Sequence, residues 1–529
     1  MSHRNRRLRN SATLLISLSL VAGCGAITGD SGEEDRALTV GTTSEPSTLD
    51  PAEAWDSSWE LYKNTFQTLL HFPNSSTTPS PDAAQRCGFT DSDSQVYRCT
   101  LRKGLKFSNG NVLDSSAVKY SFDRTRRIKS ATGPAGLFGS IDRVETPDKR
   151  TVVFHLNKPD ATWPYILSTP AASIVDPKSY PADRVRKDNK LVGSGPYTLD
   201  SYEHGKDAVL RKNTSYKGAA NVKNDSVTIR YYQDSDKMVA ALRQKKIDVT
   251  VRGLTPKQIT DLQSAEAKGD NSIDLSEMLG TEIRFLVFNP KDPEARKPAV
   301  RKAIAQLIDR KALVRKVYHH TADPLYSMVP GGITGHTSAF YDEYGDPSVS
   351  KARDTLSQGG VNGKVKLTLW YTTDRYGSQT AGEFQEIKRQ LNGSGLFDVK
   401  VKGRPWREFQ KGYSKGEYPV FGRGWFPDFP DADNYLASFA GKNNAVGTPY
   451  NNSTLTDKLL APSRKESDRG VAGRYFSRAQ KVVAQDARLL PLWQGRLYVA
   501  SGKDMSGVEW MLDPSALPRL WELHKKAEW

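Results

Sequence analysis

Segments with a two-residue hydrophobic period alternate with segments of helical period along most of the chain. In residues 150–156, Val152, Phe154 and Leu156 fall on one face of a strand, whereas residues 298–308 repeat their apolar side chains as one face of a helix does. The same periodicities predict strands over 37–41, 227–231, 283–288 and 364–370, and helices over 237–244, 384–391 and 474–487. The segments mix without a strict βαβ rhythm or a fixed repeat, which predicts α/β lobes with mixed sheets rather than a barrel or a solenoid.

The amino terminus has the parts of an export signal in order. A basic head is followed by a short apolar run over residues 13–22 and then by small residues before Cys24. That run is too short to span a membrane, which needs about twenty residues. The arrangement resembles a bacterial lipoprotein signal, which is cut before a cysteine that receives a lipid. It predicts a signal peptide over 1–23, lipid on Cys24 and a flexible tether over 24–35; an ordinary secretory signal with an unrelated cysteine is the alternative.

The charge and the cysteines restrict the partners and the compartment. The 529 residues carry a formal net charge of +16, but the basic residues are spread along the chain, which favours a solvated surface over a nucleic-acid-binding arm. We therefore expect no nucleic-acid partner, and we expect a monomer. Cys87 and Cys99 flank a polar turn at residues 91–94, so two short strands joined there would bring the thiols together. An oxidising compartment outside the cytoplasm then permits a disulfide between them.

Motifs that indicate enzymes are missing from the sequence. It contains neither His-Glu-x-x-His nor Gly-x-Ser-x-Gly. The glycine-rich stretch 359–364 is one residue short for a phosphate loop and precedes a strand, so we interpret it as a turn. His319 and His320 are adjacent, and adjacent side chains point apart. We expect no catalytic site, no metal and no other cofactor.

Residues 424–435 concentrate carboxylates and aromatic rings in one short loop. The members are Asp428, Asp431, Asp433, Trp425, Phe426, Phe429 and Tyr435. Paired carboxylates are typical of acid–base chemistry or, with suitable spacing, of calcium binding. A third interpretation places one carboxylate against a buried cationic group of a ligand, while the others cap turns and helices. A purely structural loop is the fourth, and the residues alone leave all four open.

The order of several short motifs resembles one protein family. The motifs are Thr48-Leu49-Asp50-Pro51, the stretches 101–110, 115–118 and 192–197, Asn289-Pro290 with 299–304, the loop 424–435 and Leu490-Pro491-Leu492-Trp493. Each is weak alone, but together they follow the order found in extracellular solute-binding proteins of family 5, the dipeptide and oligopeptide type that feeds ABC importers. The resemblance covers nearly the whole chain after the signal.

This resemblance implies a fold and a division of the chain. The fold class would be α/β, as a two-lobed periplasmic-binding-protein-like clamp of type II, cluster C, with an extra subdomain. Lobe I would comprise 36–82, 190–283 and 491–529, the extra subdomain 83–189, and lobe II 284–490. The ligand would close inside a hinge between the lobes.

The resemblance also implies the residues of a ligand site. Asp428 falls where peptide-binding members hold the α-ammonium of a peptide. Further positions that would line the pocket are Trp425, Trp406, Trp55, Ser57 and Trp493. The ligand carboxylate would meet a basic residue beyond the strand at 364–370, either at Arg375-Tyr376 or at Arg404.

Together these expectations describe a lipid-anchored substrate-binding protein of an ABC transporter. It would capture di- and oligopeptides at the extracellular face of the bacterial cytoplasmic membrane, pass them to permease subunits and catalyse nothing. The alternatives are the same fold with a non-peptide solute, such as a nickel complex or an oligosaccharide, and a peptide-sensing receptor. A secreted hydrolase that uses the carboxylates of 424–435 is a rival from another class.

Overall fold

The computed structural model describes residues 37–526, apart from 75, 442, 443, 445, 446, 448 and 449. The predicted signal peptide, the predicted lipidation site Cys24 and the predicted tether therefore lie outside the described residues. Within the described part of the chain, no helix combines the length and the apolar character that a membrane span requires.

Strands and helices alternate irregularly along the described chain. The strands β1 to β19 are Ala37–Thr42, Leu70–His71, Ser80–Pro81, Ala84–Phe89, Val96–Leu101, Ile141–Asp148, Thr151–Leu156, Tyr197–Glu203, Asp207–Lys212, Ser226–Tyr231, Val249–Thr250, Ile273–Phe288, Ala322–Pro324, Val365–Thr372, Phe397–Arg404, Val420–Trp425, Leu489–Gly502, Met505–Ser506 and His524–Lys525. The helices α1 to α14 are Ser58–Thr65, Ser115–Ile128, Trp163–Ile166, Ser235–Arg243, Pro256–Ala267, Pro298–Leu307, Arg310–Val317, Ala339–Tyr344, Val349–Gln358, Thr380–Gly393, Trp406–Lys415, Ala432–Leu436, Ala461–Ser463 and Arg469–Asp486. Every strand and helix predicted from the periodicities overlaps one of these elements and is confirmed.

One large mixed sheet organises the described residues. Its order is β15-β14-β16-β12-β17-β11-β1-β10-β9-β8, and β13 adds to β17. The pairs β14–β15, β14–β16, β1–β10 and β1–β11 are parallel, whereas the others are antiparallel. A separate antiparallel sheet has the order β4-β5-β7-β6. The prediction of mixed α/β sheets is confirmed.

Two long strands, β12 and β17, connect the two halves of the large sheet. The first part of β12, up to Leu279, pairs with 496–502, and its second part, from Ile283, pairs with 489–494, with an irregular register between them. At this break the backbones approach closely, because a Cβ on Gly280 would lie 2.3 Å from the carbonyl oxygen of Gly495.

Buried apolar side chains form separate cores on the two sides of this break. One core is drawn from residues 283–493. The other is drawn from residues 38–251 and 499–523, and it also receives Phe429. A smaller third cluster is drawn from residues 238–273 and Ala500. The large sheet therefore continues from one core to the other through β12 and β17.

The predicted disulfide is confirmed. Cys87 on β4 and Cys99 on β5 lie directly opposite each other in the register and are bonded. The glycine-rich stretch 359–364 forms the turn between α9 and β14, which confirms that interpretation as well.

Candidate functional site

The loop after β16 carries the carboxylates singled out in the sequence. Pro427 and Pro430 interrupt the strand pattern, because proline cannot donate to a sheet ladder. Asp431 then starts α12 as its N-cap, with its carboxylate accepting the backbone N–H of Asp433 at 2.8 Å. Asp428 is thus held between a buried strand and a capped helix.

The three carboxylates of this loop have different partners. Asp431 forms a bidentate pair with Arg469, at 2.7 and 2.9 Å. Asp433 forms another with Arg464, at 3.0 and 2.9 Å. Asp428 makes no ion pair with any described residue, although its side chain is only 8% exposed. Two of the carboxylates therefore hold the loop in place, and Asp428 is left with an uncompensated charge.

Hydrogen bonds orient Asp428 from two distant parts of the chain. The indole N–H of Trp55 donates to Oδ1 at 2.9 Å, and the amide of Asn434 donates to Oδ2 at 2.9 Å. Asn434 also accepts the backbone N–H of Asp428 at 3.1 Å and the indole N–H of Trp425 at 3.0 Å. Trp55 precedes α1, so this contact joins a segment next to one core with a loop next to the other. Trp55 is 41% exposed and leaves part of its ring free for a ligand.

Burial raises the pKa of Asp428 to about 6, against the opposing effect of the hydrogen bonds from Asn434 and Trp55. The raised pKa means that the ionised carboxylate is disfavoured in this site. A cation placed against it would offset that cost, and the carboxylate is therefore suited to receive a charged group of a ligand.

A second group of side chains surrounds Arg284. Its guanidinium carbon lies 4.2 Å from the ring centroid of Tyr376, 5.1 Å from that of Trp493 and 5.3 Å from that of Phe426. The charge of Arg284 is paired with Glu282. This cation–π cluster brings the predicted Tyr376 and Trp493 together with a residue from β12.

Trp406, the first residue of α11, is the centre of a third group. Its ring centroid lies 4.4 Å from the guanidinium carbon of Arg375 and 5.1 Å from that of Arg423. The rings of Trp406 and Tyr376 are 6.0 Å apart. The second and third groups therefore adjoin through Tyr376.

Ser57 and Arg404 have other contacts. The hydroxyl of Ser57 donates to the carbonyl of Glu45 at 2.7 Å, at the start of α1. Arg404 lies 5.3 Å from the ring of Trp370 and 3.9 Å from Glu408. Within the described residues, no hydrogen bond or ion pair joins Ser57 or Arg404 to the aspartate at position 428.

The sequence reasoning did not single out Asn434, Arg284 or Arg423 as site residues. Arg423 does leave a signal, because it is the only charged residue of β16, whereas Arg284 shares β12 with several acidic residues. A Cβ on Gly424 would lie 2.4 Å from Nη1 of Arg284, so the glycine leaves space for the guanidinium. Asn434 left no comparable signal, since its role depends on the folded loop.

The described residues thus combine a large mixed sheet, two large cores joined by long strands, and a buried carboxylate that forms no ion pair among them and lies beside aromatic rings. Residues 78–447 match the family described as bacterial extracellular solute-binding proteins, family 5 Middle, and the chain belongs to this family. Its fold is the two-lobed α/β architecture of periplasmic binding proteins. The family is one of solute-binding proteins and is not catalytic.

Similar proteins span almost the full chain. The probable D,D-dipeptide-binding periplasmic protein DdpA of Escherichia coli K12 is 26% identical over 486 residues, which cover 89% of this chain and 90% of that protein. The periplasmic binding protein DppA from Helicobacter pylori, solved with the peptide STSA, is 24% identical with a TM-score of 0.76 and coverage of 93% and 98%. AgaA from A. tumefaciens R10, solved with agropinic acid, is 23% identical with a TM-score of 0.74 and coverage of 93% and 99%.

Proposed function

We propose that this protein captures di- and oligopeptides with a free amino terminus outside the cytoplasm and delivers them to the permease subunits of an ABC importer. The observation that carries the proposal is Asp428, a buried carboxylate without a cation among the described residues. A peptide α-ammonium supplies the charge and the hydrogen-bond donors that this site lacks. The peptide-binding names of DdpA and of the DppA complex support the same ligand class.

Each group of side chains has a distinct task in this proposal. Trp55 and Asn434 hold the carboxylate of Asp428 toward the ligand amine. The aromatic rings around Trp406 and Tyr376 form a broad wall that tolerates varied side chains. Arg375 has no ion pair within the described part of the chain and is the candidate partner of the peptide α-carboxylate.

The same contacts also bear on how the two lobes would close around a ligand. We assign the hinge between lobe I, comprising 36–82, 190–283 and 491–529, and lobe II, 284–490, to the register break in β12 and the facing part of β17. The hydrogen bond from Trp55 to Asp428 spans the two cores, so a ligand held between them would stabilise the closed state.

One observation favours a second candidate, a solute that is not a peptide. AgaA shares the fold and was solved with agropinic acid, so this architecture also accommodates another ligand class.

Native mass spectrometry of the purified protein tests whether the ligand is a peptide or another solute. We expect a spread of adduct masses that fragment into short peptides. Protein unfolded in urea, washed and refolded is the control, and it should lose the adducts and regain them from a peptide digest. A single non-peptide adduct would contradict peptide capture and support the second candidate.

The proposed lipid anchor on Cys24 rests on the order of the signal sequence. Cells grown with a palmitate analogue should label the wild-type protein but not Cys24→Ala. Retained label on the variant would contradict lipidation at this residue.

Peptide affinity should fall as the pH falls below about 6. The pKa of Asp428 in the ligand-free protein is raised to about 6. Below that pH the carboxylate is protonated, and an incoming ammonium must displace the proton. We therefore expect Kd to rise by about tenfold per pH unit below 6, measured by calorimetry at about pH 7.5, 6 and 5. Asp428→Asn is the control and should show a flat profile; an equally steep profile in that variant would assign the pH dependence to another group.

A further inference from the structure

Arg423 is a buried cation that the described protein does not satisfy. It lies on β16 between Gly422 and Gly424 and is only 6% exposed. Its Nε and Nη1 have no hydrogen-bond partner, and no described carboxylate pairs with it. Buried charges in proteins are normally paired, because an isolated one is strongly disfavoured. The missing partner points to a group supplied from outside the chain.

The surroundings of Arg423 stabilise a cation, but no described carboxylate forms an ion pair with it. Its guanidinium carbon lies 4.7 Å from the ring centroid of Tyr413 and 5.1 Å from that of Trp406. Asp374, near the start of α11, already accepts the backbone N–H of Trp406 at 2.7 Å and the hydroxyl of Thr372 at 3.1 Å. The aromatic contacts position the guanidinium without neutralising it.

Arg423 adjoins the proposed ligand site on two sides. The ring of Trp406 that contacts it also lies 4.4 Å from the guanidinium carbon of Arg375. Along β16, Arg423 and Trp425 point to the same face, because side chains two residues apart in a strand do so. Trp425 is linked to Asp428 through the hydrogen bonds of Asn434.

Within the described site, Asp428 and two guanidiniums, Arg375 and Arg423, form no ion pair; Asp374 also forms none, but its carboxylate accepts two hydrogen bonds. By contrast, Arg284 is paired with Glu282. The α-ammonium of a peptide would pair with Asp428 and its α-carboxylate with Arg375. Arg423 would then still lack a partner. A planar guanidinium is well suited to a second carboxylate, which it binds with two parallel hydrogen bonds.

We infer that the protein selects acidic peptides, in which a side-chain carboxylate pairs with Arg423. This inference rests on the proposed capture of free-amine peptides and adds a preference for ligands of net negative charge. It makes Arg423 a specificity-determining residue and leaves the role of Asp428 unchanged.

Matched peptide mixtures test the inference. One contains di-, tri- and tetrapeptides of alanine with one glutamate, and the other contains the same peptides with glutamine. Each peptide is titrated into the full-length, detergent-solubilised protein after ligand removal. We expect the tightest glutamate peptide to bind at least about tenfold more tightly than its glutamine counterpart. In Arg423→Gln this ratio should fall to about one, with the affinity for glutamine peptides unchanged.

The control is Arg407→Gln, which removes an exposed arginine of the same helix as Trp406 and should keep the wild-type ratio. A merely structural role of Arg423 would weaken both series equally and would overturn the inference. A wild-type ratio near one with tight binding would also overturn it while leaving peptide capture intact, and this readout does not depend on the folding of any variant. If neither series binds, the proposed function fails together with the inference.

Discussion

Replacing Asp50 by alanine is expected to destabilise the folded protein by about 3–5 kcal/mol. Asp50 is fully buried and forms a bidentate pair with Arg124, at 2.8 and 2.6 Å. Removing the carboxylate leaves the guanidinium of Arg124, itself 1% exposed, without its counter-charge. The midpoint of urea unfolding, followed by tryptophan fluorescence, measures the effect.

The expected loss of stability is large because Asp50 connects three segments of the chain. Besides Arg124 on α2, it accepts the backbone N–H of Arg186 at 2.7 Å and that of Ala52 at 3.0 Å. Arg124 in turn donates to the carbonyl of Pro181 at 2.6 Å. The Thr48–Pro51 motif is therefore explained by a buried ion pair that ties the start of the chain to α2 and to the segment around 181–186.

Two further variants distinguish the loss of this ion pair from the general effect of removing an aspartate on stability. Asp142 pairs with Arg143 at 3.1 Å, but both side chains are more than half exposed. Asp142→Ala should change stability by no more than about 0.5 kcal/mol. The double variant Asp50→Ala/Arg124→Met should recover part of the loss, because it leaves no unpaired charge. A single Asp50→Ala variant as stable as the wild type would contradict the assigned role.

Hydrophobic periodicity was sufficient to predict the strands and helices that bury one face. The predicted strand at 364–370 and helix at 298–308 differ from β14 and α6 by one or two residues at their ends. The first half of β12 was missed because polar residues interrupt its apolar ones and most of its side chains are only partly buried. Its Glu277 pairs with Arg496 of β17, and such a cross-strand pair leaves no apolar alternation in the sequence.

The site depends on contacts that the sequence does not encode locally. The loop 424–435 was recognisable as a candidate, but its three aspartates looked equivalent. They become different only when Arg464 and Arg469 pair with Asp433 and Asp431 and leave Asp428 unpaired. The contact from Trp55 to Asp428 likewise joins positions 373 residues apart.

Asp428→Asn should weaken the binding of free-amine peptides by at least about thirtyfold, equivalent to about 2 kcal/mol or more. The variant keeps the size of the side chain and an oxygen that can accept the N–H of Trp55, but its NH2 group cannot accept the amide N–H of Asn434. It removes the charge that holds the ligand ammonium. The ligand-free variant should have a stability close to that of the wild type at pH 7, because the variant removes an ionised carboxylate that burial disfavours but also loses the hydrogen bond from Asn434. Calorimetry gives Kd, and thermal unfolding without ligand gives the stability.

A thermodynamic cycle with the ligand isolates the ammonium–carboxylate contact. Acetylation of the peptide amino group removes the same charge from the other side, so the acetylated peptide should bind the wild type as weakly as the free peptide binds Asp428→Asn. In the variant, acetylation should have little further effect, because the partner of the ammonium is already absent. If Asp428 only shaped the loop, the variant would lose stability and would still distinguish free from acetylated peptides. Equal affinity of the wild type for both peptides would contradict amine recognition at Asp428. The other two aspartates of this loop are already paired with arginines.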